Sequence, residues 1–216
     1  MIRALVFDFD GLMMDTESAL IQAYADVHRR HGVPFDRELF LRSVGQAEYS
    51  FDPWHGFDRW ADRAALERER RKRNQELDRT LPVLPGVLAL LDAAGQAGLL
   101  LGMASNSTHD HVDGHLKRLG LFERFTFVAC RGDAPSPKPE PDLYRLVLNR
   151  LGVSSRQAIA FEDSHPGSLA AKRAGLWVVA VPGSSTQHHD FDHVDVRLHS
   201  LAEVTLAELQ RRFDRG

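Results

Sequence analysis

The sequence predicts an α/β fold: a doubly wound parallel sheet carrying an all-helical insertion. Three observations predict it. From residue 82 onward, short continuous apolar runs alternate with helical stretches, as in successive βαβ units. Those runs lack polar alternation, as strands buried on both faces do. Residues 15–81, after a first strand, show helical patterning and no convincing strand. The expected core is therefore residues 1–14 with 82–216, and the expected insertion is residues 15–81.

Each element has a local cause. Residues 3–8 read as the first strand. Residues 16–31 read as a helix, with Asp15 or Thr16 as its N-cap and Gly32 just past its end. A short helix is expected from Asp36 to Ser43, stopped near Gly45. Residues 49–60 are aromatic-rich (Tyr49, Phe51, Trp54, Phe57, Trp60) and are broken by Pro53 and Gly56. Trp54 and Phe57 are expected to pack the insertion rather than stack on a ligand. A charged helix should follow from about Asp58 to Thr80. Beyond Pro85-Gly86 the pattern predicts helices at 87–97, 109–119, 140–151 and 166–174. They lead into strands at 99–104, 125–129, 158–161 and 177–181 respectively.

Composition narrows the function classes. With 43% hydrophobic residues the chain can bury a substantial core, and no run approaches the ~20 apolar residues of a membrane span. The opening residues lack a signal-peptide pattern. A lone cysteine, Cys130, excludes an intramolecular disulfide and reads as a small buried residue. Both features lead us to expect a cytoplasmic protein. A net charge of -3 gives no general attraction to nucleic acid. The basic run Arg68–Arg73, interrupted and flanked by Glu67, Glu69 and Glu76, reads as a solvated helix face. Nothing suggests a dedicated interface, so a monomer or weak homo-oligomer is expected.

Ligands of such folds bind at the carboxyl ends of the strands. There the first strand delivers Asp8 and Asp10, two residues apart and facing the same way, with Gly11 letting the chain turn. The following strand ends deliver Ser105-Asn106-Ser107, then Lys138 between prolines, then Glu162-Asp163-Ser164. Singly, each reads equally as a turn, a cap or an exposed loop. Together they form a coherent site. Asp8 and Asp163, with Glu162 as a direct or outer partner, suit Mg²⁺, which takes oxygen ligands and usually substrate phosphate. Lys138 can hold Asp8 ionised and offset phosphate charge. Ser105 and the N–H groups at the next helix start can receive phosphate oxygens. A carboxylate can attack phosphorus, and Asp10 can exchange protons beside it. The implied partner is a small phosphorylated metabolite.

These motifs resemble those of the haloacid dehalogenase-like hydrolase superfamily, in the branch of β-phosphoglucomutases and sugar-phosphate phosphatases. Residues 7–17 are similar to its first motif, Ala104–Ser107 to the second, Lys138–Asp142 to the third and Phe161–Ser164 to the fourth. The resemblance implies a Rossmann-like core and a helical cap that closes over it. It implies Asp8 as nucleophile, forming an aspartyl phosphate, and Asp10 as acid/base. It implies Mg²⁺ on Asp8, the backbone carbonyl of Asp10, and Asp163, with Glu162 nearby. Lys138 completes the catalytic set, and Ser105, Asn106 and Thr16 are the expected substrate-binding residues.

Asp10 argues against the dehalogenase members, and a cap whose one lysine is Lys72 argues against the phosphonatases. Mutase members resembling this chain carry Lys just before the cap-loop glycine and Arg three residues after it. Here Val44 and Glu48 stand there, and Glu48 would repel a second phosphate. The expectation is a monophosphate hydrolase, with mutase the alternative should Arg42, His55 or Arg59 substitute. Sugar, polyol and nucleoside monophosphates and phosphoglycolate remain open as substrates. The segment His188–His193 reads as a surface loop.

Overall fold

A computed structural model describes residues 1–41 and 51–214. Six parallel strands form one sheet: β1 (Ala4–Phe7), β2 (Leu100–Ala104), β3 (Phe127–Ala129), β4 (Ala158–Glu162), β5 (Trp177–Ala180) and β6 (Val196–Arg197). Their order is β3-β2-β1-β4-β5-β6, with β1 at the centre. β1 pairs in parallel with β2 on one side and β4 on the other, Phe7 lying opposite Met103 and Phe161. The strand order reverses at β1, which opens a crevice at the carboxyl ends of β1 and β4.

The strand residues explain why the sheet is covered on both faces. Leu5 and Phe7 belong to one apolar cluster, with residues of α4 (Val87–Gln96), α5 (His109–Arg118) and α8 (Leu206–Phe213). Ala4 and Val6 point into the other, with α6 (Asp142–Leu151) and α7 (His165–Arg173). All four β1 side chains are fully buried, and the Phe7 and Phe161 rings stack at 4.8 Å. Burying a phenylalanine contributes about 2–3 kcal/mol, so β1 is anchored from both sides just before Asp8.

Between β1 and β2 lie α1 (Thr16–Arg30), α2 (Arg37–Leu41) and α3 (Arg63–Asp78), with an apolar cluster of their own. Trp54 is buried there, 5.1 Å from the Tyr24 ring and stacked on His28, so it packs the insertion as expected. A buried Asp26 on α1 accepts from Arg73 on α3 at 2.7 Å, tying the two helices together. Trp60, by contrast, is exposed, with Arg59 over its ring.

Several boundaries shift for local reasons. Asp15 caps α1 by accepting from Ser18 N–H. α3 starts at Arg63 rather than near Asp58, because Asp62 is the residue that caps it, accepting from Ala65 N–H. Asp58 instead closes a turn by accepting from Trp60 N–H. Pro141 delays α6 to Asp142. A 3₁₀ turn at Phe122–Arg124 shortens β3. β6 and α8 were not anticipated. α8 has the signs of a helix start, a Thr205/Glu208 capping box followed by buried Leu206, Leu209 and Phe213. Arg42, Val44, Gly45, Glu48 and Tyr49, on which the cap-loop reading rests, lie outside the described residues.

Cys130 is buried, as expected, and burial pushes its thiol up to about 12. No described helix is long and apolar enough to cross a membrane.

Candidate active site

Asp8 follows β1 directly, and its N–H still bonds Phe161 O at 3.0 Å. The sheet thus fixes its carboxylate at the crevice. Gly11 then turns the chain with φ +75°. A Cβ there would lie 2.3 Å from Asp163 Oδ2, so both the turn and the close approach of Asp163 require glycine.

Lys138 joins the two strand ends. Its Nζ donates to Asp8 Oδ1 and to Glu162 Oε1, each at 2.6 Å, and all three side chains are buried. Tyr144 on α6 also donates to Glu162 Oε1. The Glu162 carboxyl lies against the first turn of α7, where a Cβ on Gly167 would come within 2.0 Å of Oε2. Glu162 therefore orients the lysine, which favours the outer role over direct metal ligation. Asn106 clamps the same loop: its Oδ1 accepts from Lys138 N–H at 2.9 Å and its Nδ2 donates to Lys138 O at 3.2 Å.

Asp10 is surrounded by donors. Thr16 Oγ1 donates at 2.6 Å, Ser107 Oγ at 2.7 Å and Ser105 Oγ at 3.4 Å. His111 Nε2 on α5 lies 2.8 Å from Asp10 Oδ1. Burial works against the charged Asp10, but His111, Thr16 and Ser107 together hold its carboxyl well below the usual range. Burial likewise opposes the charged imidazole, yet Asp10 raises His111 above its ordinary value. Ser105, almost fully buried, accepts from Ser107 N–H at 3.0 Å, which shapes the start of α5.

The remaining acids form an uncompensated cluster. Ligand oxygens of Asp8, Glu162 and Asp163 lie within 4.8 Å of one another. Asp163 Oδ2 accepts only a 3.3 Å bond from Thr186 Oγ1 among the described contacts, and Glu162 Oε2 has no partner. Burial raises Asp8 above the usual carboxylate range, Lys138 opposes this, and Glu162 and Asp10 add to it. Burial and then Glu17 push Asp163 well up; burial and then Asp10 do the same to Glu17. One lysine cannot balance this many carboxylates. An all-oxygen, anionic donor set fits a hard divalent cation such as Mg²⁺.

The structure thus brings Asp8, Asp10, Ser105, Lys138, Glu162 and Asp163 to one rim. Thr16 is buried and its hydroxyl donates to Asp10, while the Asn106 amide is bonded to the Lys138 backbone on both sides. His111, Tyr144 and Glu17 went unrecognised. His111 carried a faint signal, a histidine in the first turn of the helix that follows Ser105-Asn106-Ser107. Tyr144 had none that distinguishes it from a core residue. The histidine-rich segment packs on α7: His165 N–H donates to His189 Nδ1 at 3.2 Å, and His193 Nε2 lies 2.9 Å from Ser168 Oγ.

Residues 5–181 match the family model of the haloacid dehalogenase-like hydrolases. The chain belongs to this family. It is similar to "Putative phosphatase YhcW" of Bacillus subtilis, 39% identical over 97% of this chain and 96% of that one. It is also similar to hexitol phosphatase B of Escherichia coli K12, 31% identical over 96% of each chain. CbbY of Rhodobacter sphaeroides, solved in complex with xylulose-(1,5)bisphosphate, superposes with a TM-score of 0.81 at 31% identity, covering 97% of this chain and 99% of that one. This haloacid dehalogenase-like chain is an enzyme of the phosphatase kind.

Proposed function

We propose that this phosphatase hydrolyses the phosphomonoester of a small sugar or polyol through an aspartyl-phosphate intermediate on Asp8, with Mg²⁺ bound. The observation that carries the reading is the Asp8 carboxylate itself, fixed at the β1/β4 crevice, held by Lys138 and two residues from a second carboxylate. The names of the hexitol phosphatase and of the sugar bisphosphate complex support the substrate class.

Asp8, Asp163 and the backbone carbonyl of Asp10 would hold the ion, with Glu162 behind them. Bound there, Mg²⁺ would neutralise charge on the phosphoryl oxygens and the carboxylates. Lys138 holds Asp8 Oδ1, so Oδ2 is the oxygen that attacks phosphorus. Asp10 is ionised at rest and the proton sits on His111, so the ester P–O bond breaks as the leaving oxygen takes that proton through Asp10. Asp10 and His111 then take a proton back from water as that water attacks the aspartyl phosphate and the acyl P–O bond breaks. Phosphate leaves and Asp8 is restored. Ser105 Oγ and the N–H groups opening α5 receive the phosphoryl oxygens. Residues 15–81 act as the cap of a core formed by 1–14 and 82–216. Thr16 opens α1, so cap movement acts directly on one of Asp10's donors.

The test is phosphate release, with and without Mg²⁺, across hexitol, sugar and nucleotide monophosphates. Fast Mg²⁺-dependent release from polyol or sugar phosphates is expected. Isomerised sugar phosphate with little free phosphate would overturn hydrolysis in favour of a mutase. Release from nucleotides alone would overturn the substrate class.

A further inference from the structure

The end of α3 meets α5 beside Asp10, in a group of side chains unlike the all-oxygen centre. Ligand atoms of Asp78, His111 and His115 lie within 4.8 Å of one another. His111 and His115 are four apart on α5 and so share one face, their rings 4.8 Å apart. Asp78 comes from the last residue of α3, and His115 Nε2 is 3.7 Å from its Oδ2. Phe9 closes the group from the core side, 5.7 and 5.6 Å from the two imidazoles.

A second observation points to a ligand. Asp78 is only 7% exposed, and its buried Oδ1 has no hydrogen-bond partner. The neighbouring Asn74 donates to Oδ2 at 2.7 Å, yet its own buried Oδ1 is also without a partner. An unsatisfied buried acceptor is costly, and a cation held beside the Asp78 carboxylate would offset that cost. Among the described residues a second histidine-containing group, His109 with Asp113 and Cys130, lacks this feature. Its His109 is already bonded to Asp133 at 2.8 Å.

We propose that Asp78, His111 and His115 form a second cation site, for a nitrogen-preferring divalent ion of the Zn²⁺ type. Two imidazoles and one carboxylate are a donor set for such ions, not for Mg²⁺. With Nε2 of His111 engaged by Asp10, Nδ1 is the nitrogen left for the metal. Asp10 then completes the carboxylate–histidine–metal arrangement in which a ligand's far nitrogen is held by an acid. His115 would ligate through Nε2, which faces Asp78. The long 3.4 Å contact from Arg118 to its Nδ1 would give way as that nitrogen takes the proton. Tetrahedral ligands around zinc sit about 3.3 Å apart, so the three side chains need to close by roughly 1 Å. Occupancy would pin the end of α3 to α5 and fix His111 against Asp10. A Zn²⁺-loaded enzyme would therefore turn over more slowly in the same Mg²⁺. Binding itself does not depend on the reaction proposed above.

The experiment is equilibrium dialysis of the metal-free full chain against Zn²⁺ in excess Mg²⁺, which keeps the carboxylate centre filled. One retained Zn²⁺ per chain is expected. Outer-shell losses typically weaken metal binding 10–100-fold, so losing a direct ligand in His115→Gln or Asp78→Asn should weaken it roughly a hundredfold or more. Asp163→Asn should keep the Zn²⁺. Equal binding by wild type and both ligand variants, or loss in Asp163→Asn, overturns the site. Co²⁺ added to the unaltered protein gives a check that does not rely on a variant folding. Strong visible bands of a low-coordinate, nitrogen-containing site support the proposal; the weak spectrum of an octahedral oxygen set overturns it.

Discussion

Gly167→Ala separates helix propensity from the architecture of the site. Gly167 is the third residue of α7, with ordinary helical backbone. On propensity alone, alanine there should stabilise by about 1 kcal/mol. The structure reverses the expectation. The new Cβ would sit 2.0 Å from Glu162 Oε2, 2.3 Å from Cδ and 2.4 Å from Oε1. An exposed glutamate would swing aside at little cost. Glu162 is fully buried, and moving its carboxyl breaks its bonds from Lys138 and Tyr144. Overpacking of this kind costs about 1–3 kcal/mol, so the net change is a loss of about 1 kcal/mol. Function should suffer more, because Lys138 follows Glu162 and also holds Asp8. A displacement near 1 Å in a catalytic constellation can cost about a hundredfold in rate. Gly114→Ala in α5, where nothing lies within 4 Å of the added Cβ, is the control and should be neutral or stabilising. Urea unfolding and kcat for phosphate release measure both effects. A Gly167→Ala protein that is more stable than wild type and keeps its kcat would refute the reasoning.

Asp8→Asn should abolish turnover while the circular dichroism spectrum stays native; residual activity within about a hundredfold of wild type would remove Asp8 as nucleophile. Lys138→Ala leaves Asp8 and Glu162 facing each other unpaired, so both kcat and stability should fall, the latter by about 3 kcal/mol. Chelation of Mg²⁺ should stop phosphate release and lower Tm, since ions that bind only the folded state stabilise it; unchanged kinetics in chelator would exclude a metal-dependent reaction. Asp26→Asn should destabilise by about 2 kcal/mol at neutral pH. Burial raises the Asp26 carboxyl, but the bonds from Arg73 and Gln22 outweigh it, so its folded pKa lies below the ordinary value. A depressed acid contributes its stability above its unfolded pKa and loses it as pH falls through the folded one. The gap between wild type and Asp26→Asn, read from urea curves, should therefore begin to narrow as pH falls below the unfolded value of about 4 and close only below the folded one; a gap that does not narrow at all as pH falls contradicts the assignment.

The sheet and the order of the chemistry-bearing residues along its rim could be read from residue order. Continuous apolar runs such as Leu5-Val6-Phe7 can only be satisfied by burial on both faces, and strand ends in such a sheet converge on one edge. That is why Asp8, Ser105, Lys138 and Asp163 were legible from order and spacing alone. Tertiary structure decided the partnerships. Thr16 meets Asp10 and Asn106 meets the Lys138 backbone, contacts that no local pattern announces. Tyr144 and Gly167 looked like ordinary helix residues, and only packing put them on Glu162. His111 met Asp10, and Asp78 met two histidines, across sequence separations no local pattern spans. Periodicity encodes which face of an element is buried; it carries no record of which distant side chain will be waiting there.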